Sequence, residues 1–152
     1  MFSKAYSGRL SFNLLLTAAG LVYALIMLSL LLVRNRYFLN YSYNLMPFDT
    51  IKQYIVNFRH YNFDIVFKNL LGNIVLFIPI GIIAPLLNTK LFKWAPLILF
   101  TILLIFCVEL AQMLLRVGAF DVDDIILNTL GAAIGLLFTK VAIAASRRLA
   151  GQ

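Results

Sequence analysis

The chain has 152 residues, of which 62% are hydrophobic and only 12% charged, and its mean hydropathy is +0.94. A soluble domain is roughly a quarter charged, and a chain this short cannot bury so much apolar side chain, so the composition excludes a water-soluble globule and makes lipid the solvent. The net charge of +7 comes from thirteen Lys and Arg scattered between apolar stretches, a pattern of juxtamembrane anchors and not of a nucleic-acid-binding face.

In chain order, the run 10–33 is the first expected span, since about 20 apolar residues cross a bilayer and it has few polar interruptions, Asn13, Thr17 and Ser29 among them. It is longer than the ~7–15-residue core of a secretory signal and runs into Arg34-Asn-Arg36 without a small-residue cleavage site, so it is read as a retained helix. The loop 35–68 is rich in Tyr and Phe. Pro47 fits the first turn of a short helix there, with Ile51, Ile55, Val56 and Phe58 near one side, which predicts an interfacial or re-entrant piece. His60, the only histidine, is read as ordinary surface.

A second span is expected over 69–87, with a kink near Pro79, a third over 95–115 and a fourth over 124–145. Cys107 lies within the third and is read as small core packing. In the fourth, Gly131-Ala-Ala-Ile-Gly135 is a small-xxx-small face suited to close helix packing, including packing between copies of the chain. The expected architecture is an all-α membrane protein, one domain over 1–152 built as a bundle of four transmembrane helices.

Successive spans alternate in direction, so the first loop, the start of span two, the end of span three and the start of span four share one side. Asn69 and Asn73, then Glu109, Gln112 and Arg116, then Asp121, Asp123, Asp124 and Asn128 all fall there. Spacings of three, four and seven place Asn69 with Asn73, Glu109 with Gln112 and Arg116, and Asp121 with Asp124 and Asn128, each group on one helical face. Glu109 is the most telling, about 9 Å inside the end of its span at ~1.5 Å per residue, where a carboxylate costs a few kcal/mol unless paired, protonated or hydrated. Residue by residue there are plain structural alternatives: a carboxyl bonded to Asn73 or Arg116 that only holds helices together for Glu109, interhelical hydrogen bonds for the amides, snorkelling for Arg116, helix capping for Asp123 and Asp124. The sequence holds no Walker, GxGxxG, HExxH or G-x-S-x-G motif, which disfavours nucleotide, zinc-protease and serine-hydrolase chemistry.

Four ordered blocks, Asn44-Leu-Met-Pro-Phe48, Gly72-Asn-Ile-Val-Leu-Phe-Ile-Pro-Ile-Gly81, Glu109-x-x-Gln112 and Asp121-Val-Asp-Asp-Ile-Ile-Leu-Asn-Thr-Leu-Gly131, resemble the VanZ-like family over nearly the whole chain. The resemblance implies a bacterial, multi-pass inner-membrane protein of the cell envelope, from a family whose founding member is associated with low-level resistance to teicoplanin, a lipid-tailed glycopeptide that binds cell-wall precursors. It also marks Asn73, Glu109, Gln112, Asp121, Asp124 and Asn128 as the family-like polar positions.

With the amino terminus cytoplasmic, seven basic residues fall inside and six outside. The inner ones occupy short tails and a short loop, where the positive-inside rule counts best, so both termini are expected in the cytoplasm and the polar cluster outside. Two functions fit. In the first, the cluster binds the headgroup of a lipid-linked wall precursor or a lipoglycopeptide among membrane lipids. In the second, an enzyme acts on an isoprenoid-phosphate or phospholipid headgroup, with Glu109, Asp121 and Asp124 as the catalytic candidates, Asp121, Asp123 and Asp124, joined by Glu109, as candidate ligands of Mg²⁺ or Mn²⁺, and Arg116 receiving phosphate. A transporter fits one small unit without repeats poorly.

Overall fold

The computed structural model describes residues 2–32, 42–57 and 63–150; Arg34, Arg36, Phe58, Arg59 and His60 lie outside the described residues. Its helices are α1 (Phe2–Leu32), α2 (Asp49–Val56), α3 (Phe63–Leu87), α4 (Trp94–Leu114) and α5 (Val122–Ala150). Among the described residues, four of these contain runs long and apolar enough to cross a membrane: Ser11–Leu30, Val66–Leu87, Trp94–Leu114 and Val122–Leu149. α3 continues through Pro79 and Pro85 as one helix. α5 runs on past the expected end, because Ala, Arg and Leu are good helix formers and Arg147 and Arg148 in the last turn suit the helix dipole.

The short connection between α3 and α4 is a 3₁₀ turn, Thr89–Phe92, started by Asn88, whose side chain accepts from the Lys90 amide at 3.1 Å. Lys140 of α5 sits over Trp94 at 4.6 Å and over Phe92 at 5.7 Å, an attraction of cation to ring face that ties this turn to α5.

The expected glycine face is used within the chain. A Cβ on Gly131 would lie 2.1 Å from the Ile74 carbonyl oxygen, one on Gly135 2.1 Å from that of Ile78, and one on Gly81 2.0 Å from that of Ala132. The two parallel helices α3 and α5 therefore touch backbone to backbone, the closeness that small residues permit. Thr139 of α5 donates to the carbonyls of Gly135 at 2.9 Å and Gly81 at 3.4 Å across the same seam. Gly131 and Gly135 thus hold α5 to α3, where the sequence reading had also offered them to a second copy.

Met27, Phe77, Ile80, Ile105 and Val108 form the apolar core between α1, α3 and α4. Leu14, Leu25, Leu99, Leu103, Leu137 and Phe138 are exposed, as expected of surfaces that face lipid. Cys107 is also exposed. Its place in an apolar run suggested core packing, but in a membrane helix an apolar run carries no signal of which side faces inward.

Candidate functional site

At one end of the bundle, two short strands absent from the all-α expectation draw the first loop onto α5. β1 (Tyr43–Asn44) pairs in parallel with β2 (Phe120–Asp121), and the Phe120 amide donates to the Ser42 carbonyl at 3.0 Å. Phe120 is buried and packs edge-on against Phe106 with ring centroids 5.5 Å apart, which seats β2 on α4.

From β2 the chain enters α5 through Asp121, whose Oδ1 accepts from the Asp123 amide at 2.9 Å, the geometry of a helix N-cap. The same carboxylate accepts from the Thr50 hydroxyl at 2.6 Å and from Asn44 Nδ2 at 3.4 Å. Its own amide donates to Glu109 Oε2 at 3.0 Å. Asp121 thus ties together α2, α4, β1 and α5.

Asp123 is completely buried. It does not cap its own helix, the structural role the sequence suggested for it. Its two carboxylate oxygens accept from the amides of Phe48, at 2.5 Å, and Ile51, at 3.0 Å. These are donors at the start of α2, which no nearby side chain caps. α2 begins at Asp49, two residues beyond Pro47, and Phe48 enters it with a left-handed backbone (φ 67°). Pro47 therefore precedes the first turn instead of occupying it. Ile55 and Val56 are exposed and Ile51 is half-buried.

Asp124 accepts from Asn73 Nδ2 at 2.5 Å, joining α5 to α3. Asn69 lies one turn before Asn73 and is half-buried. Asn73, Glu109, Gln112 and Asn128 are all buried, so α3, α4 and α5 each bring at least one buried polar side chain to this end. The Asn128 Oδ1 and Thr129 Oγ1 atoms are buried without a hydrogen-bond partner, at positions one turn beyond Asp124 on α5.

Arg116 departs from the helical stripe expected for it. α4 ends at Leu114, and Arg116 takes a left-handed conformation (φ 59°). Its amide donates to the Met113 carbonyl at 3.1 Å and that of Val117 to the Gln112 carbonyl at 3.0 Å, the paired bonds of a Schellman stop. Arg116 therefore occupies the position glycine usually fills, and its side chain is exposed.

Mg²⁺ or Mn²⁺ does not fit Asp121, Asp123 and Asp124 as they stand, because each carboxylate is turned to a different set of protein donors. Among the described residues, no group of three or more His, Cys, Asp or Glu side chains is arranged to hold a metal ion. Asn44 and Thr50 are site residues that the sequence reading did not single out, although both lie in the Asn44–Ile51 stretch, where polar side chains interrupt an apolar loop.

The VanZ/LLP1 family model matches residues 19–143. Protein VanZ of Enterococcus faecium is 28% identical over 95 residues, a stretch covering 62% of this chain and 58% of that relative's length. No solved structure matches the chain. The family match takes in α3, α4, β2, most of α5 and the capped polar end, and the chain belongs to the VanZ-like family of multi-pass membrane proteins.

Proposed function

We propose that the protein lowers susceptibility to a lipid-tailed glycopeptide of the teicoplanin type by binding a polar headgroup at its capped polar end, in a bacterial inner membrane with both termini cytoplasmic. The headgroup belongs to a lipid-linked wall precursor or to the lipoglycopeptide itself. The observation that carries this reading is Glu109, 2% exposed in a largely apolar helix and grouped with buried Asn73, Gln112 and Asn128. Carboxyl and amide groups at membrane depth are expensive, and the glycine seam already holds α3 against α5 without them. The unpaired Asn128 oxygen is an acceptor of the kind a hydroxylated or amide-bearing headgroup satisfies. The family supplies the link to resistance; the outward orientation rests on the basic tails and short loop.

The enzyme reading has less support, since Asp121, Asp123 and Asp124 would have to leave the donors that build the end of the bundle before sharing a cation. Calorimetric titration of the protein in lipid nanodiscs, with teicoplanin and with a polyprenyl-diphosphate-linked wall precursor, tests the binding reading. Saturable binding of either, weakened at least tenfold by Glu109→Gln, is the expected result. Wild-type protein that binds neither overturns it.

A further inference from the structure

A separate cleft lies between α1, α3 and α4, lined among others by Thr17, Tyr23 and Leu28 of α1, Ile80 and Ala84 of α3 and Leu104 of α4. Its volume is about 330 Å³, at the lower end of the ~300–1,000 Å³ typical of ligand sites. Thr17 to Leu28 spans about 16 Å of helix, roughly half the ~30 Å hydrocarbon core. The cleft is therefore an apolar slot about one leaflet long, a length that suits a hydrocarbon chain. The core residues Ile105 and Val108 stand between its wall at Leu104 and Glu109 on α4, with Phe77 beside them, so the slot is not part of the polar site.

Two further observations identify the occupant. The Tyr23 hydroxyl is buried with no hydrogen-bond partner, although Tyr23 lines the slot; such a hydroxyl costs a few kcal/mol in apolar surroundings until it meets an acceptor. The second is charge. Leu87, at the end of the slot, leads directly into the turn bearing Lys90 and Lys93, both exposed. All six Asp and Glu of the chain, Asp49, Asp64, Glu109, Asp121, Asp123 and Asp124, occupy sequence positions toward the other end of the bundle. Lys140 lies over Trp94 and Phe92, and among the described side chains Lys90 and Lys93 adjoin the mouth of the slot at Leu87.

We propose that this slot holds one acyl chain of an anionic phospholipid, with Lys90 and Lys93 receiving its phosphate and the Tyr23 side chain turning its buried hydroxyl into the slot to meet an ester oxygen. The proposal is independent of the headgroup reading of the polar end. Native mass spectrometry of the detergent-solubilised protein, mixed with equal amounts of phosphatidylglycerol and phosphatidylcholine, tests it. One phosphatidylglycerol is expected to be retained in roughly tenfold preference, given the attraction of two lysines to an anionic headgroup. Lys90→Gln with Lys93→Gln should abolish the preference, and Ala24→Phe, which fills the slot, should abolish retention. Should Ala24→Phe fail to accumulate, Tyr23→Phe serves in its place and should weaken retention severalfold. Equal retention of the two lipids, a preference indifferent to both lysines, or retention unaffected by Ala24→Phe or Tyr23→Phe overturns the proposal; the last would leave the lipid on the basic surface alone.

Discussion

Asp123 caps a helix that begins more than seventy residues before it: its carboxylate accepts from the amide of Ile51 at 3.0 Å, fixing the start of α2 to the first turn of α5. Asp121, two residues earlier, takes the Thr50 hydroxyl at 2.6 Å. The segment 43–56 is therefore held over the polar end by side chains of α5 and a two-residue strand pair.

Removing that hold should free the segment without dissolving the bundle. Asp123→Ala leaves the amides of Phe48 and Ile51 without their acceptor, a loss of about 1–3 kcal/mol for buried donors. Hydrogen exchange in nanodiscs should show protection lost over residues 48–56 and retained in α3 and α5. Unchanged protection over 48–56 would contradict the capping role.

The glycine seam makes a contrast between neighbouring positions. Gly131→Ala and Gly135→Ala each drive a methyl to within about 2.1 Å of a backbone oxygen, and separating α3 from α5 should cost at least ~2 kcal/mol. A Cβ on Gly72 meets nothing within 4 Å, so Gly72→Ala should be neutral or stabilise by up to ~1 kcal/mol through helix propensity. Thermal unfolding in detergent reads both; equal effects at all three positions would remove the seam from the account.

The four spans were legible because apolar runs of bilayer length end at Asn88, Lys93 and Asp121, residues that stop or start helices. The convergence of Asn73, Glu109 and Asp124 at one end followed from alternating span direction alone. What was not legible is non-local. Nothing near Asp123 in sequence reveals that its partners are the amides of Phe48 and Ile51, and pairings as short as β1 with β2 leave no alternating pattern. Gly131 and Gly135 announced a close contact, but a small-residue spacing does not name the helix it meets. Arg116 was counted onto the Glu109 face because helical spacing assumes a helix that continues, and no glycine at 116 marked the stop.

At that stop, Arg116→Gly should relieve a left-handed backbone that costs an L-residue roughly 1 kcal/mol. The variant is expected to unfold at a slightly higher temperature than wild type. A clear loss of stability would show that contacts of the Arg116 side chain outweigh the backbone strain.

Orientation is open to chemical labelling. With Cys107, which is exposed, replaced by Ala, a cysteine at Lys90 or in the carboxyl tail should resist impermeant thiol reagents in intact cells, and one at Ala119 should be labelled. The reverse pattern would place the polar end in the cytoplasm and remove it from any ligand outside the cell.

In the proposed function the buried carboxyl of Glu109 serves binding and not only the fold. Glu109→Gln keeps the shape and an oxygen able to accept from the Asp121 amide, now 3.0 Å from Oε2, so the fold should lose at most a few kcal/mol. The decisive measurement is teicoplanin susceptibility of cells producing Glu109→Gln at wild-type abundance, with Asp124→Asn run alongside. Loss of the protective effect with normal membrane insertion is the predicted result, and full protection by both variants at equal abundance would contradict it.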